Sequence, residues 1–220
     1  MKRKILIVFA AITVLVLAVA MTACNKSDTD KTPSDVSRSV SALYTGESEN
    51  FAVSVEKGMR EDPFIADGKA TDVAEFAEIT VTPLTSNDFE EISYVLNAEN
   101  TNLSGTLTGN NFGEFRQTLT LDFAPVSVSV TANGTTEEIQ LADVLAGKLS
   151  SSDVVNIARK EFADRIAAES ADGKPSREIY VKLISGDRET YYYYVSFIGE
   201  GVDYWAMLVD PATGDVVSKK

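Results

Sequence analysis

The sequence predicts a mixed fold, an all-β sandwich followed by an α+β domain in which one helix lies on an antiparallel sheet. Three observations carry this. Between residues 50 and 145, short runs of alternating apolar and polar residues follow one another. Between 152 and 168 the apolar residues switch to a helical period, and from 179 onward alternation returns.

The first set of runs falls at 51–55, 77–82, 92–96, 103–108, 115–123, 126–130 and 138–141. A period of two places successive side chains on opposite faces, as a half-buried strand requires. Turn residues separate the runs: Asp67-Gly68, the Asn-rich stretch 97–102, Gly109-Asn110-Asn111 and Asn133-Gly134. The last pair, flanked by alternating runs, predicts a type I′ hairpin. About seven short strands without a strong helix predict a sandwich over 46–149, immunoglobulin-like in architecture. No Cys-Trp-Cys pattern is present, so that likeness is one of shape alone.

The second region, 150–220, begins with Ser152 or Asp153 as a helix cap. Val154, Val155, Ala158, Phe162 and Ile166 then fall on one arc of roughly 120°. Arg165 sits at the edge of that arc and is expected to snorkel. Asp172-Gly173-Lys174-Pro175 stops the helix. Runs at 179–184, 191–198 and 204–209 follow, then a turn at 210–215 and a short strand from Val216. One amphipathic helix over one face of this meander is the economical assembly, and a fragment starting near Ser150 is expected to fold with marginal stability.

Composition narrows the function. The 220 residues carry 20 Lys+Arg against 33 Asp+Glu, a net charge of −13, so no nucleic-acid partner is expected. The absence of His removes imidazole bases and His-ligated metals, and a single Cys removes an intrachain disulfide. No cofactor is expected.

The N-terminus reads as an export signal over 1–23. Lys2, Arg3 and Lys4 precede an apolar run at 5–21 that only Thr13 interrupts. The run is shorter than the roughly 20 residues of a spanning helix. Met21-Thr22-Ala23-Cys24 resembles a bacterial lipobox, with Met in place of the commoner Leu. That resemblance implies cleavage after Ala23 and acylation of Cys24, hence a lipid anchor in the cell membrane with the chain facing outside the cytoplasm. Two or three acyl chains hold firmly where one is marginal. Residues 24–45 then read as a lipidated Cys and flexible tether, polar and interrupted by Pro33.

The helix, the Tyr-rich strand and the string from Trp205 through Asp210-Pro211-Ala212-Thr213-Gly214-Asp215 to Val216-Val217 resemble a PepSY domain. The match covers about a third of the chain. It implies a small secreted or envelope-attached binding module, related to propeptide regions of secreted proteases, and does not imply an active site.

Other constellations are weaker. Ser54-Val55-Glu56-Lys57 has the Ser-x-x-Lys spacing of penicillin-recognising enzymes, but a separation of three in a strand puts Ser54 and Lys57 on opposite faces. Glu90-Glu91, Glu137-Glu138, Asp62, Asp67 and Asp72 are the candidates for paired-acid glycoside hydrolysis, with solvated surface as the simpler reading. The 210–215 loop lacks the ligand series of an EF-hand. The positive binding signal is aromatic. Tyr192 and Tyr194 share the strand face opposite Val195 and Phe197, and Trp205 is placed with them as a binding residue, on condition of the strand register.

The expected role is therefore non-catalytic binding at the envelope, with a peptidase, a peptide or another envelope protein as partner. The alternatives are a carboxylate-dependent hydrolase of cell-wall or glycan material and a structural or adhesive surface module. The anchor is directly testable. Cys24→Ala is expected to abolish labelling by a palmitate analogue and leave an uncleaved or released species; unchanged labelling would exclude Cys24 as the acylated residue.

Overall fold

A computed structural model describes residues 34–85, 89–109, 113–170, 176–201 and 203–220. The export signal with Cys24, the first part of the tether, the Asn110-Asn111 turn and the 172–175 helix stop lie outside the described residues.

The first half contributes β1 (Val36–Glu47), β2 (Phe51–Glu61), β3 (Val73–Pro83), β4 (Glu91–Asn97) and β5 (Asn102–Thr108). It continues with β6 (Phe115–Leu119), β7 (Ser127–Ala132), β8 (Thr135–Gln140) and β9 (Ala142–Asp143). The second half holds helices α1 (Ser151–Glu161) and α2 (Ala163–Glu169). Its strands are β10 (Glu178–Ser185), β11 (Tyr191–Ile198), β12 (Tyr204–Val209) and β13 (Val216–Lys219).

Two sheets result. The larger follows the order β13-β12-β11-β10-β1-β2-β3-β6, with β9 also beside β1; the smaller is β5-β4-β7-β8. Between them lies one core, in which Val53 and Val55 of β2 and Ile79 and Val81 of β3 meet Ile92, Leu96, Val128 and Val130. The Asn133-Gly134 hairpin joins β7 to β8 as predicted, with φ of 50° and 77°. Both values lie in the left-handed region that a type I′ turn requires and that Asn and Gly tolerate best.

A second core lies under the helices. Every residue of the predicted arc, Val154, Val155, Ala158, Phe162 and Ile166, is buried there against Ile179, Val181, Val195, Phe197 and Met207. The helix starts slightly earlier than expected. Ser150 is the N-cap, its Oγ accepting from the Asp153 amide while the Asp153 carboxylate accepts from the Ser150 amide. This reciprocal capping box ties down two N–H groups that the helix start leaves without partners. The helix also breaks at Phe162, where φ of −103° and ψ of 16° leave helical geometry before α2 resumes.

The larger departure concerns the segment expected as tether over 24–45. Residues 36–47 are a central strand of the larger sheet, not a flexible linker. Register shifts between Val36 and Arg38 and again between Val40 and Ala42 interrupt the strict alternation by which strands are recognised. β1 pairs in parallel with β10 and antiparallel with β2, so one sheet runs through both halves. The change of period near 150 thus marks a change of core, while the sheet continues across it. A self-contained immunoglobulin-like sandwich would end at that edge.

Because Val36 is a member of the second core, a fragment starting at residue 148 lacks a buried side chain of that core. It also loses the Ile179 N–H bond to Asp35 O at 2.7 Å and the Arg159–Asp35 pair at 2.6 Å. Full burial of one Val is worth roughly 1.5–3 kcal/mol, much of the margin of a 70-residue unit. Residues 148–220 are expected to melt cooperatively only when 34–41 are joined to them through a Gly/Ser linker. A cooperative transition of the bare fragment would show that β1 is dispensable to it.

Candidate binding face of the C-terminal sheet

Alternation in β10, β11 and β12 sorts side chains cleanly. Ile179, Val181, Tyr193, Val195, Phe197, Trp205, Met207 and Val209 enter the helix-side core. The opposite face carries Tyr180, Lys182 and Ile184 from β10, Tyr192 and Tyr194 from β11, and Tyr204 and Leu208 from β12. Cross-strand pairs set this array: Ile184 opposite Tyr192, Lys182 opposite Tyr194, Tyr194 opposite Leu208, and Ile198 opposite Tyr204.

Tyr192 and Tyr194 stand half-buried on the face away from the helices, where the sequence placed them. Trp205 does not join them. Its register opposite Phe197 sends it beneath the helices, only 8% exposed. There its ring lies 5.7 Å from Phe162 and 5.9 Å from Phe197. Arg177 stacks on it at 4.3 Å while pairing with both carboxylate oxygens of Glu169, at 2.7 and 2.8 Å, and with Asp203 at 2.5 Å. Those hydrogen bonds hold the Glu169 carboxyl below its usual range and raise the guanidinium further. Arg165 snorkels as expected, its guanidinium 5.4 Å from the Phe162 ring. The residue exposed in place of Trp205 is its neighbour Tyr204, 38% exposed.

Two further contributors carry no local signal in the sequence. The loop at 62–72 between β2 and β3 crosses the sheet and sets Phe64 on Tyr180 at 5.0 Å between ring centres. Together with Tyr180, Lys182, Tyr194, Ile198 and Tyr204, Phe64 lines a groove of about 420 Å³. The loop is fastened from below by two buried carboxylates. Glu178 Oε1 accepts from the Gly68 amide at 3.3 Å, and Glu61 Oε1 accepts from the Thr71 amide. The second oxygen of Glu178 is buried without a hydrogen-bond partner among the described residues.

Arginines continue the face toward the first half. Arg38 lies 5.5 Å from the Tyr180 ring and 4.9 Å from Phe76, whose other neighbour Arg60 sits at 4.6 Å. Arg38 pairs with Glu56 at 2.5 Å, and Arg60 with Glu78 at 3.4 Å. These side chains neutralise one another, so this part of the face is paired rather than available.

The string resembling the PepSY hallmark serves architecture. Asp210 Oδ1 accepts from the amides of Ala212 at 2.7 Å and Thr213 at 3.3 Å, forming an Asx-type turn. Pro211 O accepts from Leu149 N at 2.8 Å. Gly214 has φ of 80°, and a Cβ there would stand 3.1 Å from Ile157 and 3.2 Å from Leu149. Only glycine serves both the turn and the close approach.

The acidic candidates do not converge. Glu137 accepts from Asn50 Nδ2 at 2.5 Å, while its neighbour Glu138 points the other way and accepts from Ser127 Oγ at 3.4 Å. Asp67 accepts from the Lys69 amide at 3.0 Å within its own turn, and Asp62, Asp72, Glu90 and Glu91 are separate surface or rim residues. No three His, Cys, Asp or Glu among the described residues are grouped to hold a metal. Ser54 and Lys57 lie on opposite faces of β2; Lys57 Nζ donates to Phe123 O at 3.3 Å.

With the geometry in place, the family comparison is specific. The model described as "PepSY: Peptidase propeptide and YPEB domain" matches residues 148–220, which places a PepSY domain on α1, α2 and β10–β13. No curated protein and no solved structure matches the chain significantly.

Glu178 gives this site a pH signature. Burial pushes its carboxyl above the usual range, the Ser37 and Gly68 hydrogen bonds oppose this, and Glu61 and Asp67 add repulsion. A folded-state value above the unfolded one means that this group's contribution is full at acidic pH and is lost as pH rises through the folded value. Glu178→Gln cannot ionise, so its melting temperature is expected to gain on that of the native chain as pH rises above the ordinary glutamate range. Thermal melts over that rise in pH check it; a constant difference would show that Glu178 does not titrate there.

Proposed function

We propose that the chain is an envelope lipoprotein, anchored through acylated Cys24, that binds a partner protein or peptide through the open face of its PepSY sheet. The observation that carries this reading is the aromatic array of Tyr180, Tyr192, Tyr194 and Tyr204 on the side of the sheet away from the helices. Rigid amphipathic rings on such a surface are the kind that dominate interface energetics. The matched family adds that PepSY domains are propeptide-like binding modules, which makes a peptidase a natural partner class. The N-terminal signal supports the anchored, outward-facing location, and the two-sheet half, immunoglobulin-like in its layering, serves as the body that carries this face. No catalytic step is assigned to it.

Tyr194→Ala and Tyr192→Ala are expected to leave melting nearly unchanged while weakening the partner that co-purifies with the anchored chain by about thirtyfold or more. Trp205→Ala is the counterpart, expected to cost roughly 3–5 kcal/mol of stability. Destabilisation of that size in both tyrosine variants would show that these rings are core and would remove the proposed face.

A further inference from the structure

We infer that the groove beneath the 62–72 loop receives an extended peptide segment bearing an apolar or aromatic side chain flanked by carboxylates. This rests on the binding-face reading above and specifies the chemistry of the partner.

The lining of the groove and its neighbouring hollow is less acidic than the protein around it. The whole chain carries −13, yet the described residues lining this groove and the adjoining hollow of about 270 Å³ include Lys182 and Lys220. The acid in that lining is Asp203, whose carboxylate is held by Arg177 at 2.5 Å. Lys182 lies 5.4 Å from the Tyr194 ring and forms no ion pair among the described residues. Lys220 donates to Tyr204 Oη at 3.0 Å and lies 4.2 Å from that ring. Both ammonium groups are therefore held by aromatic faces rather than by acids. A ring attracts a cation without neutralising its charge, so each lysine keeps its capacity to pair with an incoming carboxylate.

The body of the groove is apolar. Phe64, Ile198 and the rings of Tyr180, Tyr194 and Tyr204 form its walls, and Phe64 remains 42% exposed at the rim with Ile65 at 59%. A volume of about 420 Å³ accommodates a side chain as large as Phe. In an extended peptide, residues i, i+2 and i+4 point to one side, so an acidic–aromatic–acidic set at that spacing presents both chemistries together. A purely anionic ligand leaves the apolar walls unfilled, and a purely apolar one leaves both ammonium groups unused.

The probe is the end-blocked, fluorescently tagged peptide Glu-Ser-Phe-Ser-Glu, titrated into the full chain in detergent, beside versions with Lys for each Glu and with Ala for Phe. The acidic aromatic peptide is expected to bind at least tenfold more tightly than either, with the preference weakened by added salt. Lys182→Gln combined with Lys220→Gln is expected to erase the charge preference without lowering the melting temperature, and Lys182→Arg with Lys220→Arg to keep it. Equal binding of acidic and basic peptides, or a preference that survives the Gln pair, overturns the inference. So does displacement by inorganic phosphate at equal concentration, or lysine-dependent capture by phosphatidylserine vesicles in place of peptide. Tyr194→Ala weakening acidic and basic peptides alike would keep the binding face while removing the acidic partner.

Discussion

The structure depends on a single parallel strand pairing. β1 lies between β10 and β2, paired on both sides, and among the described strands it contributes side chains to both hydrophobic cores. Val36 contributes to the core beneath the helices. Eight residues later Tyr44 packs against the core of the two-sheet half. Its two register shifts reverse the alternation twice and so cancel, which leaves Val36 and Tyr44, eight residues apart, on the same side of the sheet. Ser151 secures the arrangement from the helix side, donating to Val40 O and accepting from Val40 N at 3.1 Å.

The same pairing organises the proposed binding surface. Because the β1–β10 register places Arg38 beside Tyr180, the uncovered side of the PepSY sheet runs on into the charged array around Phe76. The smaller sheet and the helices cover the buried cores, and the loop at 62–72, which comes from the first half, supplies Phe64 to a groove otherwise built from the second. The groove is thus a property of both halves. A PepSY domain considered apart from β2, β3 and their connection would lack one wall of it.

Much of this was legible from local pattern. Val154, Val155, Ala158, Phe162 and Ile166 are all buried because a helical stripe needs only its own spacing to be recognised. The same holds for the Asn133-Gly134 turn and for the division of Tyr192 and Tyr194 from Tyr193, which is fully buried and whose hydroxyl, pushed up to about 12 by burial, donates to Leu149 O at 3.1 Å. What failed depended on partners far along the chain. Val36, Val40 and Leu43 are spaced by bulges at i, i+4 and i+7, a helical spacing on three residues rather than a strand period, so nothing local marked a strand and the segment resembled a linker. Trp205 turned on a hairpin register that its own neighbours do not encode. Phe64 and Glu61 reach the groove and its base only through tertiary folding, more than 100 residues from β10, and no local signal marks them.

Through its pairing on both sides, β1 makes one cooperative body of the two halves. Native-state hydrogen exchange of the Ile179 amide, which donates to Asp35 O across that pairing, tests it most directly. This amide is expected to exchange only through global unfolding, with the same free energy and denaturant dependence as the core amides of β2, β3 and β11. Exchange of Ile179 through a smaller opening, while the cores of both halves stay protected, would contradict it.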